Sequence, residues 1–164
     1  MTRYKSSLLA LATITTALIA GLFYAFSVAV NPAFMQLPDA QYIQAMQEIN
    51  RAIVNPVFLF GFLGSPLFLV LTVVGFRKGP FSAKFIWILA AALIFITGGF
   101  GVTILRNIPL NNQLEAFSLK GASAEQVKVM RDAFAGSWNN WHTLRTVCSG
   151  FSLILLVIAC LKKD

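Results

Sequence analysis

Four apolar runs, each long enough to cross a bilayer as a helix, decide what this chain can become. Ser7 to Val30 is a run of 24 residues without a charge. Further runs extend from Pro56 to Phe76, from Phe81 to Leu105 and from His142 to Leu161. Roughly 20 residues at about 1.5 Å each match the hydrocarbon thickness. In hydrocarbon every backbone N–H and C=O needs an internal partner, so such a run becomes a helix. The expected fold is all-α: a transmembrane four-helix bundle in one domain over 1–164, with spans at about 7–30, 56–76, 81–105 and 142–161. Only 12% of residues are charged and the mean hydropathy is +0.74, too little polarity to cover a soluble globule. The first run is longer than a signal-peptide core, so it reads as a retained span.

The breaks between runs carry local signals. Phe23, Tyr24 and Phe26 look interfacial, and Asn31-Pro32 is expected to stop the first helix, because proline disfavours helix at the residue before it. Asp39 should cap a short amphipathic helix from about Ala40 to Ile53, between spans one and two. Its Ile43, Met46, Ile49 and Ile53 share a face, which would lie on the membrane or over the bundle mouth. Asn55-Pro56 is a helix start. Pro66 should kink the second span. Gly61, Gly64 and Gly98-Gly99-Phe100-Gly101 permit close helix approach. Pro109 should force Ile108 out of helical geometry, and residues 113–122 read as a polar connection. Ser123 and Gln126 form a capping box that opens a helix running to Leu161.

The net charge of +7 is spread over connections, so it reads as topology; no nucleic-acid partner is expected. Arg3 and Lys5, the Arg77–Lys84 turn around Gly79-Pro80, and Lys162-Lys163 alternate to one side. That predicts an integral membrane protein, N-in and C-in. In either orientation Asn31, Asn50, Arg51, Asn55, Arg106, Asn107, Asn111, His142 and Arg145 gather at a single membrane face.

The densest stretch is Ser137-Trp138-Asn139-Asn140-Trp141-His142-Thr143-Leu144-Arg145-Thr146. It contains the one histidine of the chain. At about 100° per residue, Trp138, His142, Arg145 and Ser149 form one stripe. An imidazole and a guanidinium at the mouth of a span are costly unless paired or used. His142 is thus either an interfacial histidine or a catalytic base or ligand donor. Arg51, Arg106 and Arg145 are either snorkelling anchors or an anion site, with Glu48 or Glu115 as partners. Trp138 and Trp141 are belt residues or a stacking platform for a flat ligand.

Several chemistries are disfavoured. A lone histidine without nearby cysteine or carboxylate builds no closed metal site, and bis-histidine haem ligation fails on the count. Cys148 and Cys160 lie too far apart on one helix to pair. No span contains Asp or Glu, which argues against a proton-coupled transporter. Neither a nucleotide glycine fingerprint nor a Gly-x-Ser-x-Gly elbow is present. No cofactor is expected.

Four segments together carry a resemblance. They are Ala20-Gly21-Leu22-Phe23-Tyr24-Ala25-Phe26-Ser27 running to Asn31-Pro32; Ile49-Asn50-Arg51 with Asn55-Pro56; Asn107-Ile108-Pro109-Leu110-Asn111; and Trp138 to Thr146. The chain resembles the anthrone oxygenase-like family of small four-span membrane proteins, largely a bacterial domain of unknown function. The resemblance implies oxidation of an anthrone to an anthraquinone by O₂ without a cofactor. On that implication His142 removes a proton, and Arg145, with Arg51 or Arg106, stabilises the oxyanion. Asn107 and Asn111 orient the carbonyl and peri-hydroxyls, and Trp138 stacks on the ring. Asn31, Asn50, Asn55 and Trp141 complete the expected binding set. Membrane lipid and a small hydrophobic aromatic molecule are the expected partners, with homo-oligomers allowed. The alternatives are a non-catalytic protein binding a lipid, quinone or partner at the same mouth, and a small transporter subunit.

Overall fold

The computed structural model of the chain describes residues 3–77 and 82–162, and every regular element in it is helical. The expected tight turn at Lys78-Gly79-Pro80 and the basic Lys163 lie outside the described residues. Five helices follow in order: α1 (Arg3–Met35), α2 (Asp39–Ile53), α3 (Pro56–Phe76), α4 (Ala83–Ala116) and α5 (Ala124–Leu161). All but α2 are long and apolar enough to cross a membrane. Their outward faces are apolar too, with Leu18, Leu67, Leu93 and Ile154 more than half exposed. A helix apolar on all sides requires a lipid surround, so this is an integral membrane protein.

Helix α1 packs on α3 and α5, and α4 packs on α5 and α3. Their shared core includes Leu9, Ile19, Phe62, Leu69, Ile88, Phe95 and Leu156. A second core lies beyond it, where α2, the end of α4 and the start of α5 bury Tyr42, Ile43, Met46, Leu114, Phe134 and Trp138. At about 1.5 Å per residue, α5 is roughly 57 Å long, well beyond the ~30 Å hydrocarbon layer. The second core therefore forms a cap outside the spans. Helix α2 lies over the bundle mouth, and its Gln47 donates to the Leu114 and Phe117 carbonyls at the end of α4 (2.8 and 2.9 Å).

Several helix signals act as expected. Asn55 Oδ1 accepts from the Phe58 N–H at 3.0 Å, with Pro56 in the first turn. Ser123 and Gln126 exchange both bonds of the capping box. A Cβ on Gly98 would sit 2.4 Å from Cys148 Sγ, and one on Gly99 2.8 Å from Ser149 Oγ. Bare backbone is what lets α4 approach α5 there.

Two prolines act differently from expectation. Asn31-Pro32 does not end α1, and Pro109 does not break α4. Each follows a π-helical segment, Phe26–Val30 in α1 and Thr103–Asn107 in α4. The Asn31 N–H donates to the Phe26 carbonyl and the Ile108 N–H to the Thr103 carbonyl, both five residues back. The wider turn displaces the carbonyl that the proline ring would strike, so the helix continues. A further π segment, Phe95–Gly101, precedes the one at Thr103–Asn107. The expected connection from residue 113 therefore begins as helix, to Ala116. Asp39 also departs from its expected role. It makes no side-chain cap and pairs with Arg131 Nη1 at 2.7 Å.

Candidate functional site

Between the membrane core and the cap lies a cavity of about 500 Å³. Its walls are apolar for the most part, with Leu22, Phe23, Phe26, Phe58 and Phe62 among them. Phe58 and Phe62 stack at 5.3 Å and 14°. Polar groups enter the wall at two places. Thr103, His142 and Arg145 form one; Asn50, Arg51, Asn111, Asn112 and Glu115 form the other.

The first group is buried. His142 is 1% exposed and Arg145 8%. Three residues apart on α5, they share one face. Arg145 Nε and Nη2 lie 3.1 and 2.9 Å from His142 Nδ1. The other ring nitrogen, Nε2, is 2.9 Å from Ser27 Oγ in the π segment of α1. Ser27 Oγ is 3.2 Å from Thr146 Oγ1, which in turn donates to the His142 carbonyl at 2.7 Å. Arg145 Nη1 reaches Thr103 Oγ1 at the longer distance of 3.4 Å. Its Cζ lies 4.2 Å from the Phe23 ring centroid and 5.1 Å from that of Trp138. Among the described residues, no carboxylate pairs with Arg145. A buried guanidinium surrounded by aromatic faces and neutral hydrogen-bond acceptors is a cation short of an anion.

Trp138 is held on three sides. His142 stacks on it at 4.8 Å and 13°, and Phe134 at 6.1 Å and 29°. Those two residues sit eight apart on α5, so they flank the indole from either side. Its Nε1 donates to Asn111 Oδ1 at 2.7 Å. The expectation that Trp138 stacks on a ligand fails for this reason: both faces are taken, and only its edge meets the cavity. Phe26, Phe58 and Phe62 make the neighbouring cavity wall aromatic.

The second group is ionic and more exposed. Arg51 reaches Glu115 Oε1 at 2.6 Å and Glu48 Oε1 at 2.7 Å. Glu48 and then Glu115 hold the guanidinium above its ordinary range through these bonds. With two carboxylates on it, Arg51 has no charge to spare for a ligand. Asn50 is different: the residue lines the same cavity, and its buried Nδ2 has no hydrogen-bond partner among the described residues. Turned toward the cavity, such an unspent amide donor would suit a carbonyl or hydroxyl oxygen.

The sequence-expected residues therefore divide. Asn50, Arg51, Asn111, Trp138, His142 and Arg145 line the cavity. Asn31, Asn55, Arg106, Asn107 and Trp141 do not. Asn31 Nδ2 donates to Asn139 Oδ1 at 2.7 Å, and Asn55 serves as the α3 cap. Asn107 is fully buried, and its Nδ2 donates to the Trp138 carbonyl at 3.2 Å. Arg106 is exposed, with its Cζ 5.0 Å from the Trp141 ring centroid. The expected cluster of three arginines is not formed. Sequence reasoning missed Ser27, Thr103 and Thr146 as members of the site. Hydroxyl residues in apolar helices usually bond their own backbone, so nothing local marks these three. Phe23 and Phe26, read as interfacial, form cavity wall instead.

Comparison with known proteins bears on this site. A family model described as anthrone oxygenase matches residues 51–155. The match contains every polar residue of the cavity wall except Asn50. No curated protein and no solved structure matches the chain.

Proposed function

The chain belongs to the anthrone oxygenase family, and from that premise we propose that its cavity binds a flat phenolic aromatic molecule and promotes its oxidation by O₂. The observation that carries this reading is Arg145: a guanidinium 8% exposed, without a carboxylate partner among the described residues, in the wall of an apolar cavity. An anthrone becomes a phenolate-type anion when its methylene loses a proton, because the electron pair moves onto the carbonyl oxygen. A buried, uncompensated guanidinium stabilises that oxygen far more than water does. The wall offers two side chains able to take the proton, His142 and Glu115.

The chemistry then balances without a cofactor. The carbanion carbon transfers electrons to O₂ and forms a C–O bond. The accepted proton returns to give a hydroperoxide, and loss of water leaves the second quinone carbonyl. One anthrone and one O₂ give one anthraquinone and one water. The Asn50 and Asn111 amides suit the carbonyl and peri-hydroxyls, and the aromatic wall suits an apolar ring system. An apolar cavity in a membrane protein also suits a polycyclic substrate and dissolved O₂. We place the protein in the bacterial inner membrane with both termini in the cytoplasm and the cap on the far side.

Purified protein is expected to accelerate O₂ uptake with emodin anthrone. Arg145→Gln should lower that rate by about 10²-fold or more, the usual scale for losing an oxyanion donor. Wild-type protein without any acceleration ends the proposal. A second reading, a non-catalytic binder of a quinone or lipid at the same cavity, is favoured by one observation: the imidazole lies in full contact with Arg145. It predicts ligand retained through purification, no turnover, and loss of retention in Arg145→Gln.

A further inference from the structure

We infer that His142 is the hydrogen-bond acceptor that aims Arg145 into the cavity, a positioning residue, and that it does not take the substrate proton. The inference rests on the proposed anion site but concerns the division of labour within it. Two independent ends of one hydrogen-bond chain fix the ring. At one end, guanidinium nitrogens are donors only. Two of them face His142 Nδ1 at 3.1 and 2.9 Å, so Nδ1 presents its lone pair. At the other end, the single hydroxyl hydrogen of Thr146 is directed to the His142 carbonyl at 2.7 Å. Thr146 Oγ1 can then only accept at its 3.2 Å contact, so Ser27 is the donor there. With its one hydrogen spent, Ser27 must accept at 2.9 Å from His142 Nε2, which therefore carries the ring proton. Both ends give the same tautomer.

The consequence is chemical. A base needs an open lone pair within reach of the proton it removes. The lone pair of His142 is closed off by Arg145. To use it, both guanidinium bonds would have to break, and an imidazolium would then face a guanidinium among apolar side chains. The same contact has a plain use the other way round. Arg145 carries five N–H groups in a rigid fork. Fixing Nε and Nη2 on Nδ1 sets the plane of the fork and leaves its remaining hydrogens for an oxyanion. Of the two proton acceptors in the wall, Glu115 is the one left.

The chain contains a single histidine, so ¹⁵N-histidine labelling gives one pair of ring signals. Nδ1 is expected unprotonated and Nε2 protonated, with and without emodin; a protonated Nδ1 overturns the inference. Three substitutions test the role. His142→Asn puts an amide oxygen where Nδ1 was and has no basic nitrogen. His142→Gln reaches toward Ser27 and leaves Arg145 without an acceptor, and His142→Ala removes both. Losing a charged hydrogen bond weakens binding by about 10- to 100-fold, so emodin affinity should fall by that much in the Gln and Ala variants. In His142→Asn it should stay within about threefold, a small part of one such bond. Turnover should be retained in Asn and lost in Gln and Ala. An Asn variant that binds normally but is as inactive as Ala makes His142 the base; unchanged binding in all three removes the positioning role. Wild-type protein that neither binds emodin nor oxidises its anthrone defeats the proposed function, and the ring signals still decide the tautomer.

Discussion

A phenol with nothing to bond sits at the centre of the cap. Tyr42 is 0% exposed and its Oη has no partner among the described residues. Burial pushes its pKa up to about 12, against a smaller opposing effect of Arg131, whose Cζ lies 4.7 Å from the ring centroid. An ordinary tyrosine in the unfolded chain ionises near pH 10, so the folded state keeps a proton that the unfolded state releases. The associated stability is complete below about pH 10 and is lost as pH rises toward 12, on the order of 2–3 kcal/mol in all. Tyr42→Phe should abolish that alkaline loss. Near pH 8 it should leave stability unchanged or raise it by about 1 kcal/mol, because it deletes an unsatisfied polar group. Denaturation in detergent, followed by circular dichroism at both pH values, checks this. At the scale of single residues the sequence was most legible where a side chain was out of place. His142 and Arg145 stood out because ionisable groups in apolar runs demand an explanation. Tyr42 and Ser27 did not, since a tyrosine on an amphipathic helix and a serine in a span are ordinary until their partners are known.

Helices were legible in number and type, but their phase was not. Periodicity at about 100° per residue puts Trp138, His142, Arg145 and Ser149 on one stripe, and all four are buried on α5. That helix contains no π segment. Helix α4 contains two, Phe95–Gly101 and Thr103–Asn107. Each adds a residue to a turn and rotates everything beyond it. The sequence predicts a break at Pro109 and so gives no phase for the asparagines and arginine, which these turns set. Arg106 therefore faces outward and Asn107 inward to the Trp138 carbonyl, while Thr103, Ile104, Ile108, Asn111 and Asn112 reach the cavity. What holds α4 against α5 before the second of these turns is the bare backbone at Gly98 and Gly99. Gly98→Ala would drive a methyl into Cys148, whose Cβ as well as Sγ lies within 3 Å of it. Overpacking of this kind costs about 1–3 kcal/mol, and the expected result is a lower unfolding temperature in detergent. Gly136, which has nothing within 4 Å of its would-be Cβ, should accept alanine without loss. If both substitutions behave alike, close approach is not what the glycine at 98 provides.

The whole molecule is two packed units with the site between them, and this division follows from length. Apolar runs account for the spans, but α1, α4 and α5 each continue past the hydrocarbon and build the cap with α2. Hydropathy alone does not reveal that continuation, because it measures where a helix leaves lipid and not where it ends. Arg131 on α5 fastens the cap to the end of α1. Its Nη1 donates to the Leu37 carbonyl and to Asp39, each at 2.7 Å, and its Nη2 donates to the Met35 carbonyl at 2.9 Å. Those groups form the corner where α1 gives way to α2. Hydrogen bonds to a charged group contribute about 1.5–3 kcal/mol each, and this side chain is only 12% exposed. Arg131→Ala should therefore loosen the α1–α2 corner by about 2 kcal/mol or more, while the membrane core, which Arg131 does not touch, keeps its helices. Limited proteolysis should then cut between residues 36 and 54 at a protease concentration that leaves the wild type whole, with the far-ultraviolet spectrum nearly unchanged. Because α2 supplies Asn50 and Arg51 to the cavity wall, the same variant should also lose affinity for emodin. Proteolysis that rises together with loss of the whole helical signal would mean that cap and spans unfold as one unit. Unchanged proteolysis would mean that α2 is held by its apolar face alone.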